Sequence, residues 1–423
     1  MTNVPLPKSF LQFVAASGFT NLADGIALFT WGWLASLVTR DPLLIALLPV
    51  FLRIPWFLCA IPAGLITDRV DRRRLILAMD VLRGVVFGFA ALAVWMSLPL
   101  AEPSSDGASD ERLYLMLLMS ALLIGTAEVF RDNAAQTILP DIVADNQLEK
   151  ANGRLWSVEL TGNQLAGPAI GSVLIAVSTP LPLAINALLF VLAVFLLTRI
   201  TGDFRVPDRV ENNWRVELKE AFQFLWSQPL LRSLAWITGV WNLLFEMMLI
   251  GLILHVQENL NLGAPAFGLI LAAGAVGGII GGWTGDKIVT RFGRTRTAQW
   301  SLMASAPIFM IIALAPNAWA LAFALLLMDF SGITWNTVSV AYRQRKIPSA
   351  LLGRVNSMYR LIAWGMMPVG MVLSGLVVRI GETAMPRENA LILPFYLAAF
   401  ASLLLGVVGW KALARGFEQE PDL

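Results

Sequence analysis

Residues 153–168 read GRLWSVELTGNQLAGP and residues 353–368 read GRVNSMYRLIAWGMMP, so Gly, Arg, Ser and Pro recur in register, 200 positions apart, inside long apolar segments. One half of the chain is a duplicate of the other. Two similar apolar halves are the sequence signature of a carrier that rocks one half against the other around a central site.

Composition sets the environment in which that duplication operates. Of 423 residues, 57% are hydrophobic and 14% charged, against roughly a quarter charged in soluble domains, and the mean hydropathy is +0.69. The expected class is therefore an all-α integral membrane protein. The net charge of +2 excludes a strong basic field for nucleic acid. Cys59 is the single cysteine, which excludes an internal disulfide framework and a thiolate metal cluster. The opening MTNVPLPKSF has one cation and runs straight into an apolar segment, so the first span is expected to serve as the targeting element without cleavage.

Apolar runs able to cross about 30 Å of hydrocarbon fall at about 10–38, 42–67, 74–97, 112–138, 147–178, 181–200, 229–255, 264–286, 296–315, 318–342, 352–379 and 390–413. They give twelve expected transmembrane helices in two pseudo-symmetric halves, 1–200 and 229–423, joined by residues 201–228. The first and fifth runs are long enough to predict tilted or kinked helices. Most Lys and Arg of the connections fall on the face of the N-terminus, leaving Arg40, Arg112, Arg379 and Arg387 on the other, so both termini are expected in the cytoplasm of a cell-membrane protein. Within the connector, Val216, Ala221, Phe222 and Leu225 recur near helical spacing and predict an amphipathic surface helix. Residues 98–111, LPLAEPSSDGASDE, are acidic and rich in Ser, Pro and Gly, which predicts a disordered external loop.

Two short connections place Gly and a carboxylate at a helix end before clustered cations: GLITDRVDRRRL at 64–75 and GGWTGDKIVTRFGRTR at 281–296. The first resembles the signature loop of the major facilitator superfamily, with Gly64, Asp68, Arg69, Arg72 and Arg73 in place and Asp71 where that family usually has Gly. The resemblance implies a gate in which Asp68 meets the start of span eleven near Gly353 and the arginines bridge to acids of the other half, with Asp286 and Arg294 as second-half counterparts. An Asp at a helix end and cations facing carboxylates supply the electrostatics for such a latch. Span five carries GNQLAGPAIGS at 162–172. Gly162, Gly167, Pro168 and Gly171 are similar to the antiporter motif of that superfamily, with Ser172 in place of its last Gly and Gly162 one position early; the likeness favours export. ADGIALFTWGWLASLVT at 23–39, PDIVADNQLEKANG at 140–153 and RQRKIPSALLGRVNSMYRLIAWGMMPVG at 343–370 resemble the exporter branch that includes enterobactin and macrolide efflux carriers.

Ionisable groups inside spans cost at least about 2.5 kcal/mol unless they pair or face water, which singles out Asp24, Glu128, Asp132, Glu159, Glu246 and Asp329. Asp24 shares a helical face with Asn21 and Trp31, and no Lys or Arg accompanies it in its span; an unpaired carboxylate there can carry a proton, so Asp24 is the expected proton-coupling residue. Glu128, Arg131 and Asp132 form a cluster that reads as a structural network, Asp80 and Arg83 are spaced to compensate each other, and Arg53 reads as structural. Asn21, Trp31, Glu159, Asn163, Asn242, Glu246, Asp329, Asn356, Arg360 and Trp364 are the expected lining of a substrate cavity, with Trp241 and Trp335 as further aromatic walls.

These readings converge on a secondary exporter that exchanges protons for an amphipathic small molecule, drug-like or siderophore-like, by alternating access. A carrier of the same fold for lysophospholipid is the alternative. No GxxxxGK[ST] loop for ATP appears, and His255 is the single histidine, which argues against ATP coupling and against a zinc or Ser-His enzyme. The expected partners are a small-molecule substrate, protons and the lipid bilayer, without metal, cofactor or nucleic acid, and the chain is expected to act as a monomer.

Overall fold

In a computed structural model, residues 6–67, 69–144, 147–202, 204 and 214–419 are described. Helix follows helix along the chain, and several starts are set by short polar side chains. Asp41 accepts from the Leu43 N–H at 2.8 Å ahead of α2 (Pro42–Leu58), following α1 (Lys8–Val38). Cys59 breaks the helix, and α3 (Ala60–Thr67) continues the apolar run, so the expected second span is two pieces. Asp71 caps α4 (Arg72–Met96) through the Arg74 N–H, and Asp110 caps α5 (Glu111–Ile142) through the Leu113 N–H. In each case a carboxylate satisfies a backbone donor that the first turn leaves unpaired.

The rest of the first half comprises α6 (Leu148–Glu159), a π-helical segment Leu160–Ala166, α7 (Gly167–Val177) and α8 (Leu181–Thr198). The connector carries α9 (Trp214–Ser227), and after it come α10 (Pro229–Leu254) with a π-helical end His255–Asn259, α11 (Ala264–Phe292), α12 (Arg294–Ala313), α13 (Ala318–Lys346), α14 (Ser349–Gly365), α15 (Met367–Gly381), the short α16 (Arg387–Ala390) and α17 (Leu393–Glu418). Among the described residues ten helical stretches are long and apolar enough to cross a membrane, and Pro42–Leu58 is a shorter apolar helix. With the 20-residue α12, these match the expected spans in order and position.

Two compact units divide the chain, Met1–Arg209 with Gly263–Gly268, and Val210–Leu262 with Leu269–Leu423. In the first, α1 packs on α2, α7 and α8, and α4 lies between α5 and α8. Phe10, Phe13, Ile76, Ile138 and Leu197 close one end of its core. In the second, α10 packs on α14, α15 and α17, and α12 on α13 and α17. The connector helix α9 seats Ala221 and Leu225 in a core with Leu230, Leu234, Val355 and Phe417, while Val216, Phe222 and Trp226 stay exposed. Large apolar side chains such as Val85, Phe89, Phe323, Phe400 and Val408 are also exposed, a surface suited to lipid rather than water.

The duplicated stretches adopt matching local structure. Ser157 Oγ donates to the Gly153 carbonyl at 2.8 Å and Ser357 Oγ to the Gly353 carbonyl at 2.9 Å. Each copy is then interrupted just before its proline, by the π segment ahead of Pro168 and by the junction at Met366 ahead of Pro368. Proline lacks a donor and crowds the preceding turn, so the helix rewinds there.

The 98–111 connection departs from the disorder expected of it. Ser109 N–H donates to the Val38 carbonyl at 2.8 Å, Arg40 N–H to the Ser104 carbonyl at 2.7 Å and Thr39 Oγ1 to the Gly107 carbonyl at 2.6 Å. Polar composition signalled a loop, but backbone pairing with the end of α1 orders it.

Candidate functional site

The first unit buries a network of charges contributed by α1, α4 and α5. Asp24 on α1 is ion-paired with Arg83 of α4, which corrects the expectation of an unpaired carboxylate. The same guanidinium nitrogen lies 3.8 Å from Glu128 Oε2 on α5. Arg83 is 1% exposed, whereas the Asp24 and Glu128 side chains are 18% and 16% exposed. Phe190 of α8 lies beneath the guanidinium, 4.4 Å from ring centre to Cζ. Arg83 thus makes its ion pair with Asp24 of another helix, while Asp80, which its spacing suggested, stays in electrostatic range. Asp80, 0% exposed, instead meets Arg131 of α5 at 3.5 Å. Arg131 also donates to Asp132 at 3.2 Å and to Thr20 Oγ1 at 2.9 Å. The cluster of Glu128, Arg131 and Asp132 is thus not self-contained; its members reach two other helices.

Glycines of span five set the position of Asp24. A Cβ on Gly25 would lie 2.6 Å from the Asn163 carbonyl oxygen, and one on Gly162 would lie 3.0 Å from the Leu22 nitrogen. Gly167 abuts Gly25, and a Cβ on Gly171 would come within 3.0 Å of the Ile26 carbonyl oxygen. Gly162, Gly167 and Gly171, with the buried Pro168, therefore let the span press backbone to backbone on residues 21–26 of α1, as small residues do at membrane helix crossings. In the second unit Gly239 and Gly370 make the equivalent close approaches, to the Ile362 and Leu243 carbonyls.

The expected cavity residues separate into groups. Asn21 returns its amide to the Ser17 carbonyl of its own helix at 2.8 Å. Trp31 is 1% exposed and packs on Phe87 of α4, so it is core here and not a cavity wall. Glu159 is exposed and Asn163 half-buried. In the second unit Asn242 is buried and donates to the Ala363 carbonyl at 2.8 Å, tying α10 to α14 rather than presenting its amide to a ligand. Glu246, one turn on, is buried. Asn356 accepts from Arg343 at 3.0 Å, and the Arg360 guanidinium stacks 4.0 Å over the exposed Trp364. Asp329 of α13 sits against α11, where a Cβ on Gly274 would lie 2.6 Å from Oδ2. Trp241 and Trp335 hydrogen-bond to Ser305 and Thr238.

Of the expected gate residues, Asp68 lies outside the described residues. Arg72 pairs with Asp141 at 2.8 Å and also donates to the Thr137 carbonyl, and Arg73 donates to the Leu197 and Thr198 carbonyls at 3.0 and 2.8 Å. Both guanidiniums are thus engaged within the first unit, where the anionic end of α8 attracts Arg73. Gly64 has open space around it, Arg69 and Asp286 are exposed, and Arg294 is half-buried. The signal that sequence reading missed is Arg83 as the counter-ion of Asp24.

Residues 4–415 match the family described as transmembrane secretion effectors. The multidrug efflux pump Tap of Mycolicibacterium fortuitum is 26% identical over 96% of both chains. The enterobactin exporter EntS of Salmonella choleraesuis is 24% identical over 87% of this chain and 83% of its own, and the macrolide efflux protein A of Streptococcus pyogenes 25% identical over 74% and 75%. Among solved structures, a bacterial homologue of the iron transporter ferroportin in its inward-facing state superposes with a TM-score of 0.72 at 18% identity, covering 97% of this chain and 100% of that one. The nucleoside transporter NupG gives 0.71 at 14% identity, covering 97% and 100%. The duplicated spans, the signature loop and this full-length match agree: the chain is a multi-pass transporter and belongs to the transmembrane secretion effector family of the major facilitator superfamily.

Proposed function

We propose that the chain exports an amphipathic small molecule from the cytoplasm in exchange for protons, alternating access between two six-helix halves. Both termini face the cytoplasm in this reading, residues 201–228 link the halves, and the protein works as a monomer in the cell membrane. The efflux relatives support the direction of transport and a drug-like or metabolite-like cargo. The observation that carries the proton assignment is Asp24: a partly accessible carboxylate, inside a span, held by a buried arginine at the point where the glycines of span five grip α1. Neutralising it by protonation weakens its hold on Arg83, and releasing the proton restores it. In the second unit, Arg360 over Trp364 supplies a cationic and an aromatic group for a cargo of mixed character.

Purified protein in liposomes with an imposed pH gradient tests the proposal, with ethidium as the first probe and a catecholate siderophore and a macrolide after it. Gradient-driven transport is expected in the wild type and is expected to vanish in Asp24→Asn with folding intact. Unchanged coupled transport in that variant would refute the proton assignment. Movement of a fluorescent lysophospholipid, with none of the other probes, would favour the lipid carrier instead.

A further inference from the structure

Arg83 stands between two carboxylates, and only one of them can hold it closely. Its Nη2 is ion-paired with Asp24 and lies 3.8 Å from Glu128. Nε and Nη1 of Arg83 are buried without hydrogen-bond partners, so a small swing of the guanidinium toward Glu128 breaks no other bond in the described residues. Both carboxylates are accessible to a similar, limited degree.

The neighbouring groups limit where a proton can reside. Asp80 is sealed from solvent and faces Arg131. Asp132 is 31% exposed and hydrogen-bonded to Arg131. Arg53 of α2 also acts on Glu128, in electrostatic range. The apolar sequence of α8, and those of the π segment and α7, contain no charge, and Glu159 on α6 is exposed. With every group ionised the acids Asp24, Asp80, Glu128 and Asp132 outnumber the cations Arg53, Arg83 and Arg131 by one. Two carboxylates in a medium of low dielectric that share a single close cation do not both stay charged.

We infer that Asp24, Arg83 and Glu128 act as one switch holding a single exchangeable proton, with Arg83 on whichever carboxylate is ionised and the proton on the other. This rests on the proton-exchange reading and adds to it a second proton-carrying residue, Glu128, with Arg83 as the positioning residue between the two. The step is a transfer of one proton between water and a carboxylate oxygen, and the guanidinium keeps its charge throughout.

Infrared difference spectroscopy of the protein in lipid, between acid and alkaline buffers, reads the protonated carboxyl directly and needs no substrate. Asp24→Asn and Glu128→Gln are each expected to remove the same single titration step relative to wild type, and the double variant to remove no more than either alone. In liposomes, Glu128→Gln is expected to bring the ratio of gradient-driven to undriven ethidium export down to 1. Retention of the step in Glu128→Gln, or loss of two separate steps in the double variant, would overturn the switch. Glu128→Asp guards against misfolding of the amide variants: it keeps a carboxyl one methylene farther from Arg83, so the midpoint of the step must shift, and an unshifted midpoint also overturns it. If the wild type titrates as described but shows no gradient-driven export, the transport reading fails and the switch survives.

Discussion

A guanidinium that is 1% exposed inside a span, as Arg83 is, survives only because carboxylates and an aromatic face replace its water. Arg73 illustrates the other use of a cation, as a staple: it donates to two carbonyls at the end of α8. Arg73→Ala is therefore expected to lower stability by about 1–3 kcal/mol, read as a lower melting temperature in detergent, while the apparent KM for ethidium stays unchanged. A large change in KM with no thermal effect would return Arg73 to a gating role. The acids of this site were legible in the sequence, since a charge in an apolar run announces itself. Their partners were not. Asp24 and Arg83 lie 59 positions apart, and nothing in a helical period says which neighbour a long side chain will reach; local spacing offered Asp80, and packing selected Asp24. Trp31 was misassigned for the same reason, because the helical face that carries the half-buried Asn21 is packed into the core by the time it reaches Trp31.

Between elements, the decisive contact is the crossing of α1 with the broken fifth span. Gly167→Leu would drive a side chain into Gly25 and the Gly162 carbonyl, and overpacking of this kind costs about 1–3 kcal/mol; loss of transport together with a lower melting temperature is expected. Gly153→Ala is the contrasting case. A Cβ there meets nothing within 4 Å, so the variant is expected to match or exceed wild type by about 0.5–1 kcal/mol, as Gly-to-Ala does inside a helix. If the two variants melt alike, the crossing is not what fixes α1. The sequence announced close approach through its spaced glycines and a kink through Pro168. It did not disclose the π segment, because that segment differs from the flanking helix in its backbone hydrogen-bond partners, which residue types do not mark. The break at Cys59 escaped notice for a similar reason, since Pro49 and Pro55 lie within a run that is apolar on both sides of it.

For the molecule as a whole, hydropathy carried most of the architecture, because lipid requires every backbone group to be satisfied within a helix and so makes spans long and conspicuous. Sidedness is testable with the single cysteine moved: Cys59→Ser with Ser105→Cys is expected to react with a membrane-impermeant maleimide in intact cells. Labelling confined to permeabilised cells would reverse the assigned topology. Composition failed at 98–111, where polar, turn-forming residues signal an irregular backbone but say nothing about whether it is tied down. The tie is Thr39, whose hydroxyl and flanking amides bind residues 104–109 at the end of α1. An antibody fragment that clasps those residues is therefore expected to immobilise the tip of the helix bearing Asp24, and to inhibit the carrier without ever entering the bilayer.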